Sequence, residues 1–190
     1  SAPVRARLTP LGNYGGPTET MLPLPRSPAL GAATSNLPAT DQRGTPRPNP
    51  SELGAVEVVT TDYYTVTTTA DNVAGSLRQR LLDAPSGGLI VFDPAFFPGG
   101  AANRIALTSE LSALARTVTL DATDAGGLTL DAGGSNFRVL TVPFGGNLTL
   151  KAMTLRGGGG SRGGAVNNAG TLTLERCTLT DNIVTDRGGA

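Results

Sequence analysis

Three aspartates near the middle of the chain are of a type and spacing that could do chemistry: Asp121, Asp124 and Asp131. Clustered carboxylates act as general acids and bases in enzymes that cleave polysaccharides, and carboxylate oxygens also bind Ca²⁺. Strands end near these residues, however, and aspartate is a common turn residue at such corners. The spacing matches neither a dense Asp-x-Asp-x-Asp loop nor a Gly-Gly-x-Gly-x-Asp repeat. We therefore interpret all three as turn residues and predict no catalytic residue and no metal site.

Motifs for nucleophiles and cofactors are missing from the sequence. Histidine is absent, which removes Ser-His-Asp and Cys-His catalysis in their usual form, and histidine-based zinc sites with them. Cys177 is the single cysteine, so no intrachain disulfide is possible, and its alignment with Met153 predicts a core position. Residues 157–160 are glycines without the Lys-Ser/Thr pair and helix of a phosphate loop, so we interpret them as a flexible coil corner. The sequence therefore predicts no enzyme and no cofactor.

Five aromatic residues could form a surface for binding: Tyr63, Tyr64, Phe96, Phe97 and Phe144. Aromatic rings bury large apolar areas in cores and at interfaces, and they also stack on sugars. We favour the interpretation that they cap the core or seal an interface. A sugar platform is the alternative.

Composition excludes several classes of protein. The 190-residue chain has a formal net charge of zero with 16% charged residues, and a protein that binds nucleic acid would need a basic excess. No apolar run reaches the roughly 18 residues of a membrane-spanning helix. No basic-then-apolar start marks a signal peptide, so an export signal would lie outside this stretch.

A repeat of 24 residues organises residues 147–190. It aligns four pairs of apolar residues, namely Leu148 with Leu172, Leu150 with Leu174, Met153 with Cys177, and Leu155 with Leu179. Within each repeat, apolar residues alternate with Thr, Lys, Glu or Arg, which is the period of a β-strand with one buried face. Gly, Asn and Asp at the strand ends supply corners with positive φ. This pattern predicts a parallel β-helix, in which each coil is stable only because its neighbours cover it.

Before this repeat, the sequence predicts a proline-rich segment and then a short helix and a strand that precede the coils. Residues 1–50 contain ten of the 14 prolines, which predicts a loop-rich wrapping segment, with disorder as the alternative. Ser76 to Gln79 is a capping box that opens a short helix through about Asp83. We expect Leu77, Leu81 and Leu82 to form its apolar stripe. A buried strand over residues 89–92 follows.

Several short sequence motifs resemble those of a known family. Residues 8–18 read LTPLGNYGGPT and residues 39–48 read ATDQRGTPRP, with MLP, RSPAL and LGAVE at positions 21, 26 and 53. Their order is similar to the closing segment of the bacterial choice-of-anchor Q β-helix proteins. The motifs TTTADNVAGSLRQ at 67–79 and IVFDP at 90–94 resemble the opening segment of the β-helix in the same family. Because Ser51-Glu52-Leu53 stands where the family often has Cys-Asp, a disulfide there is excluded.

The resemblance implies an all-β, right-handed parallel β-helix with a short capping helix near residues 76–83. We expect a proline-rich closing or linker segment at 1–58 and a β-helix at 59–190, with coils from about residue 117. It also implies an exported bacterial protein, extracellular or on the cell surface.

The closing segment precedes the opening segment in this chain, which predicts head-to-tail continuation, either as covalent tandem repeats or as separate subunits. A simple fragment of a larger protein is the alternative. We expect a structural repeat unit of a fibre whose partner is itself, and the predicted interface residues are apolar: Val4, Leu8, Leu11, Met21, Leu22, Leu172, Leu174, Leu179 and Ile183. A glycan-binding adhesin module is the first alternative function, and a polysaccharide lyase or hydrolase is the second.

Overall fold

The computed structural model of the protein describes residues 4–161 and 163–184. The chain forms two compact units, residues 1–62 and residues 63–190, and each is described by itself. Described residues 4–62 contain neither a helix nor a strand of more than one residue. Isolated antiparallel bridges, such as Leu8 with Pro23 and Ala33 with Ser51, hold this first unit together. Its prolines explain the lack of ladders, because proline cannot donate a backbone hydrogen bond.

Residues 63–184 contain the regular structure. One helix, α1, covers Leu77–Asp83, and a 3₁₀ turn covers Gly100–Ala102. The strands are β1 (Tyr64–Val66), β2 (Gly88–Phe92), β3 (Arg104–Ala106), β4 (Leu111–Ser112), β5 (Thr117–Asp121), β6 (Leu128–Asp131), β7 (Leu140–Val142), β8 (Asn147–Lys151), β9 (Met153–Arg156), β10 (Gly159–Gly160), β11 (Val166–Asn168), β12 (Thr171–Glu175), β13 (Thr178–Thr180) and β14 (Ile183–Val184).

These strands stack in parallel ladders, so the second unit is a parallel β-solenoid of about five turns. The first sheet has the order β1-β2-β5-β8-β12, the second β3-β6-β9-β13 and the third β4-β7-β11. A fourth pair joins β10 to β14. The fold class predicted from the repeat is confirmed.

The 24-residue repeat is the register of the last two coils. Leu172 pairs with Leu148 and Leu174 with Leu150 in the first sheet, and Leu179 pairs with Leu155 in the second. Cys177 packs against the hydrophobic core, as its alignment with Met153 predicted.

The stack begins before residue 117, which corrects the expected start of the coils. Tyr64 of β1 pairs with Ile90 of β2, and Ile90 pairs with Leu120 of β5. The earlier coils escape detection because their lengths differ: Ile90, Leu120 and Leu150 are spaced by 30 residues, whereas Leu150 and Leu174 are spaced by 24. Insertions such as α1, between β1 and β2, hide the period from sequence comparison.

The helix covers the β1 end of the core. The Ser76 hydroxyl accepts a hydrogen bond from the Gln79 backbone N–H at 3.2 Å, which confirms Ser76 as the cap. The second half of the predicted capping box is replaced, because the Gln79 side chain donates to Asp83 and the Ser76 N–H donates to the Val73 carbonyl oxygen. Leu77 and Leu81 are buried with Val66 in the solenoid core. Leu82 is 56% exposed, so its place in the predicted apolar stripe was wrong. It follows Leu81 directly, and one residue step turns a helix by about 100°.

Candidate functional site

The three aspartates do not form one site. The Asp121 carboxylate accepts a hydrogen bond from the Thr123 N–H at 2.9 Å, and the Asp131 carboxylate accepts one from the Gly133 N–H at 2.7 Å. Asp124 lies in the turn between β5 and β6. These are the turn roles predicted for them. Within residues 4–161 and 163–184, no three acidic, histidine or cysteine side chains are grouped as metal ligands.

Asp131 is a structural carboxylate held by opposite charge. Its side chain is 4% exposed, and its Oδ2 lies 2.8 Å from the Arg104 Nε and 3.8 Å from the Arg156 Nε. Burial by itself would raise the pKa of Asp131, but the Gly133 N–H and the two guanidinium groups outweigh burial and lower that pKa. A carboxylate with a lowered pKa stays ionised and is a poor general acid.

The four glycines at 157–160 form a coil corner, as predicted, but a tightly packed one. Gly159 and Gly160 make up β10, which pairs with β14. A Cβ at Gly158 would collide with the Gly164 carbonyl oxygen, and a Cβ at Gly159 would collide with that of Ser135. Gly158 and Gly159 are therefore required by the close approach of neighbouring backbones.

The aromatic residues differ in burial, and two of them pack in the core as expected for capping residues. Phe97 is fully buried and packs edge-to-face on Phe92 with ring centroids 5.3 Å apart. Tyr64 packs against the core. Phe144 is 88% exposed and Phe96 is 48% exposed.

A groove of about 450 Å³ runs along the corner between the first and second sheets. Its polar lining includes Asn103, Thr129, Thr154 and Arg176, and none of its lining residues is aromatic. The Asn103 amide donates to the carbonyl oxygens of Ala125 and Gly127, at 2.7 and 2.8 Å. This asparagine is therefore already occupied in joining adjacent coils.

The last described coil of the solenoid is formed by residues 171–184 and is called here the edge coil. Its outer edge is the candidate functional surface. In the described part of the chain, β12, β13 and β14 each lie at the end of their sheet. Strands at a sheet edge present unpaired backbone N–H and C=O groups.

Apolar side chains accompany these free backbone groups. Leu150 and Leu155 are 0% exposed, whereas Leu174 and Leu179, which pair with them in register, are 41% and 43% exposed. Ile183 of β14 is 66% exposed. Within residues 4–161 and 163–184, a coil is stacked on one side of the edge coil, whereas β8 and β9 have a coil on both sides, which accounts for the difference.

Charged residues at the strand ends were missed by the sequence analysis. Lys151 at the end of β8 lies 3.1 Å, Nζ to Oε2, from Glu175 at the end of β12. The Arg156 Nε lies 3.5 Å from the Asp181 Oδ2. Lys151 and Glu175 share the 24-residue offset with opposite charge, which was the signal available in the sequence.

Asn182 forms hydrogen bonds between the edge coil and the preceding coil. Its amide donates to the Leu155 carbonyl oxygen at 3.0 Å and accepts from the Gly158 N–H at 2.9 Å. The repeat gives no signal for this role, because Gly158 and not an asparagine stands 24 residues before Asn182.

The predicted interface residues of the first unit are mostly exposed. Val4, Leu8, Leu11 and Met21 have exposed fractions of 81%, 38%, 61% and 45%. Leu22 is fully buried and its side chain is not available to a partner, which corrects its inclusion.

The first unit is organised by buried ion pairs. Arg43 binds Asp62 at 2.7 Å (Nη1 to Oδ1) and Asp41 at 3.1 Å (Nε to Oδ2). Arg47 binds Glu57 at 3.2 Å, and the Ser51 hydroxyl also donates to Glu57. The four backbone and side-chain donors around Asp41 outweigh its burial and lower its pKa to about 2.

Glu52 and Glu57 form an acidic pair within this unit. Burial, together with the hydrogen bond and repulsion from Glu57, raises the pKa of Glu52 to about 7. Burial would raise the pKa of Glu57 as well, but donors from Glu52 and Ser51 and the charge of Arg47 lower it. Below about pH 7, Glu52 is therefore mostly protonated beside an ionised Glu57.

No family model, curated protein or solved structure matches this chain. The fold is a parallel β-solenoid, and the choice-of-anchor Q resemblance stays a prediction. No helix within the described residues is long and apolar enough to cross a lipid bilayer.

Proposed function

We propose that this chain is a structural module of an exported bacterial protein and that it builds a fibre, extracellular or on the cell surface, by head-to-tail stacking. The observation that carries the proposal is the edge coil. Leu174 and Leu179 are more than 40% exposed there, whereas the leucines in register with them one coil below are 0% exposed. Among the described residues, their strands lie at the ends of their sheets.

A further coil stacked on this edge would provide hydrogen-bond partners for its strands and would cover its exposed leucines. Its strands pair with the free N–H and C=O groups of β12 and β13. Its apolar face covers Leu174 and Leu179, and complete burial of a leucine is worth about 1.5–3 kcal/mol. Such a contact joins two different surfaces, so it propagates along one axis instead of closing as a dimer. The exposed Val4, Leu8, Leu11 and Met21 are assigned to the same junction between neighbouring modules.

A non-enzymatic role fits the acidic residues better than catalysis does. Asp121 and Asp131 are engaged in turn hydrogen bonds, and the lowered pKa of Asp131 opposes proton donation. A glycan-binding role receives less support, because the groove between the first two sheets lacks an aromatic lining residue.

Electron microscopy of the purified 190-residue chain tests the fibre. We expect filaments whose axial repeat is set by one chain. Leu174→Asp is expected to abolish them, because it places a charge at the stacking face. Phe144→Asp is the matched control, since it changes an apolar side chain that is already 88% exposed and belongs to no strand. Single particles from the parent chain would contradict assembly of separate copies.

A further inference from the structure

We propose that the groove at the corner between the first and second sheets binds an anionic sugar unit. In this proposal the Arg176 guanidinium pairs with the anion, and the Thr129 and Thr154 hydroxyls bind the sugar hydroxyls. The inference goes beyond the proposed function, because the groove belongs to a single chain. It also differs from the adhesin alternative, since charge and hydroxyl groups replace aromatic stacking.

The groove is positively charged. It is lined by residues from four successive coils, and its volume of about 450 Å³ lies in the range of small-molecule sites. Among the described residues, Arg176 is the one charged residue in the lining, and no acidic residue belongs to it. Asp121 and Asp124 are close to Thr123 in the sequence, but neither lines the groove. A bound group therefore meets a net positive charge, which favours an anion.

Arg176 occupies a corner position that smaller residues hold in the preceding coils. The equivalent residues are Gly127 and Ala152, and all three have positive φ, at 99°, 55° and 53° in chain order. This backbone conformation favours glycine and asparagine, so local structure does not call for an arginine. Because Gly127 and Ala152 have little or no side chain, they leave the groove open beside the guanidinium.

The Arg176 guanidinium has donors left for a ligand. Its Nη2 donates to the Thr123 Oγ1 at 2.9 Å, and within residues 4–161 and 163–184 this is its one hydrogen bond or ion pair. A guanidinium carries five N–H donors in a planar fork that matches a carboxylate. The Thr123 hydroxyl therefore helps to orient the fork, and most of its donors remain available to an anion.

Thr129 and Thr154 place two hydroxyl groups at a fixed spacing. They pair in register in β6 and β9, line the groove and are half-buried. Neighbouring strands lie about 4.8 Å apart, and a β-branched side chain has few rotamers. A threonine hydroxyl both donates and accepts hydrogen bonds, as a sugar hydroxyl does.

A hexuronate combines the groups that these residues would recognise. Its carboxylate suits the arginine fork, and its ring hydroxyls suit the threonine pair. A neutral hexose lacks the first feature, and a simple carboxylate such as acetate lacks the second. Comparison of these three ligands therefore separates the contributions of charge and hydroxyl groups.

Ligand-observed saturation-transfer NMR with the full 190-residue chain tests the proposal. The probes are methyl glucuronide, methyl glucoside, which has a CH₂OH group in place of the carboxylate, and sodium acetate. We expect saturable binding of the glucuronide and much weaker binding of the other two. Binding should weaken as salt is added, because Arg176 is exposed. The signal is read whether the chain is single or assembled, so failure of the fibre would not obscure the result.

Variants locate the site. Arg176→Gln should weaken glucuronide binding about tenfold or more, and Arg176→Lys should weaken it less, because lysine keeps the charge without the fork. Thr154→Val should weaken it roughly two- to tenfold. Arg5→Gln and Thr149→Val are the matched controls and should leave the Kd unchanged, since neither residue lines the groove. Circular dichroism shows whether each variant keeps the parent fold and Tm.

Equal affinity for the glucuronide and the glucoside would overturn the requirement for an anion, and equal affinity for acetate would overturn the assignment of a sugar. An unchanged Kd in folded Arg176→Gln would overturn the site and leave Arg176 as a structural link to Thr123. Should Arg176→Gln fail to fold, an unchanged Kd in both Arg176→Lys and Thr154→Val would overturn it. Filament formation is observed separately by microscopy, so its failure is distinguishable from each of these outcomes.

Discussion

Gly159 and Gly160 are neighbours in β10, yet only Gly160 has room for a methyl group. The Cβ of an alanine at 159 would meet the Ser135 carbonyl oxygen, which belongs to the backbone and has little freedom to move. At 160 the nearest atom is the Arg138 Cγ at 3.5 Å, an ordinary contact with a flexible side chain. Neither residue has a positive φ, so the two positions differ in packing alone.

Gly159→Ala is therefore expected to lower the free energy of unfolding by about 1–3 kcal/mol, the usual cost of overpacking. Gly160→Ala should cost distinctly less and is the matched control. Denaturant unfolding of both variants measures the difference. Equal losses would mean that strand β10 does not approach residue 135 as closely as described.

At the same scale, the Glu52 and Glu57 pair makes stability depend on pH. The pKa of Glu52 rises from 4.5 to about 7 on folding, so the folded state binds the extra proton between these values. The free energy of unfolding should then fall as pH rises from 4.5 to about 7. Asp41 acts in the opposite direction, because its pKa is lowered to about 2 and its contribution is lost as pH falls below 3.8.

Glu52→Gln should flatten the loss between pH 4.5 and about 7, because glutamine stays neutral and can still donate to Glu57. Glu19→Gln, which changes an exposed carboxyl in the same unit, is the control and should leave the profile unchanged. Chemical denaturation across this pH range measures the slope. A Glu52→Gln profile as steep as that of the parent chain would assign the dependence to another group.

At the scale of elements, the stacking of coils determines how much a given leucine contributes to the free energy of unfolding. Leu150 in β8 and Leu174 in β12 are the same residue type, in register, in adjacent strands of one sheet. Leu150 is 0% exposed and Leu174 is 41% exposed. The aligned repeats predict the same role for both residues. In the described structure, however, β8 lies between β5 and β12, whereas β12 is at the end of the sheet.

Leu150→Ala is expected to cost about 2–5 kcal/mol, the range for buried leucines that leave a cavity. Leu174→Ala should cost less than about half of this, because much of its surface is already in water. The two free energies of unfolding are compared in dilute solution, where assembly does not contribute. Similar losses would indicate that Leu174 is covered in the monomer.

At the scale of the whole solenoid, each strand of the second unit pairs with strands of adjacent coils, so stability is expected to vary along the stack. The hydrogen bond from Arg176 to Thr123 reaches one coil further. The β1 end is covered by α1, and Arg116 donates hydrogen bonds to the carbonyl oxygens of Leu81, Leu82 and Ala84 at the end of that helix. The edge coil has one covered side, although Asn182 and the Lys151–Glu175 pair bind it to the coil below.

Amide exchange in the monomer should therefore be faster in β12 and β13 than in β8 and β9. Local opening of the edge coil breaks one coil interface, whereas opening of β8 and β9 breaks two. Asn182→Ala should widen this difference by removing two hydrogen bonds between coils. Uniform protection across all four strands would mean that the stack opens only as a whole.

The sequence by itself determined the features that depend on local patterns. Alternation of apolar and polar residues specified the strands, the 24-residue offset specified the register of the last two coils, and Ser76 marked the start of α1. These follow from periods and caps that neighbouring residues define among themselves.

Only the tertiary structure decided which distant residues meet. It placed β1 and β2 in the stack despite irregular coil lengths, buried Leu22 and exposed Leu82. It also brought Arg43 to Asp62 and aligned acids and bases at the ends of the strands. Such contacts join residues from different coils and turns, and their energies depend on burial and distance, which a one-dimensional pattern does not contain.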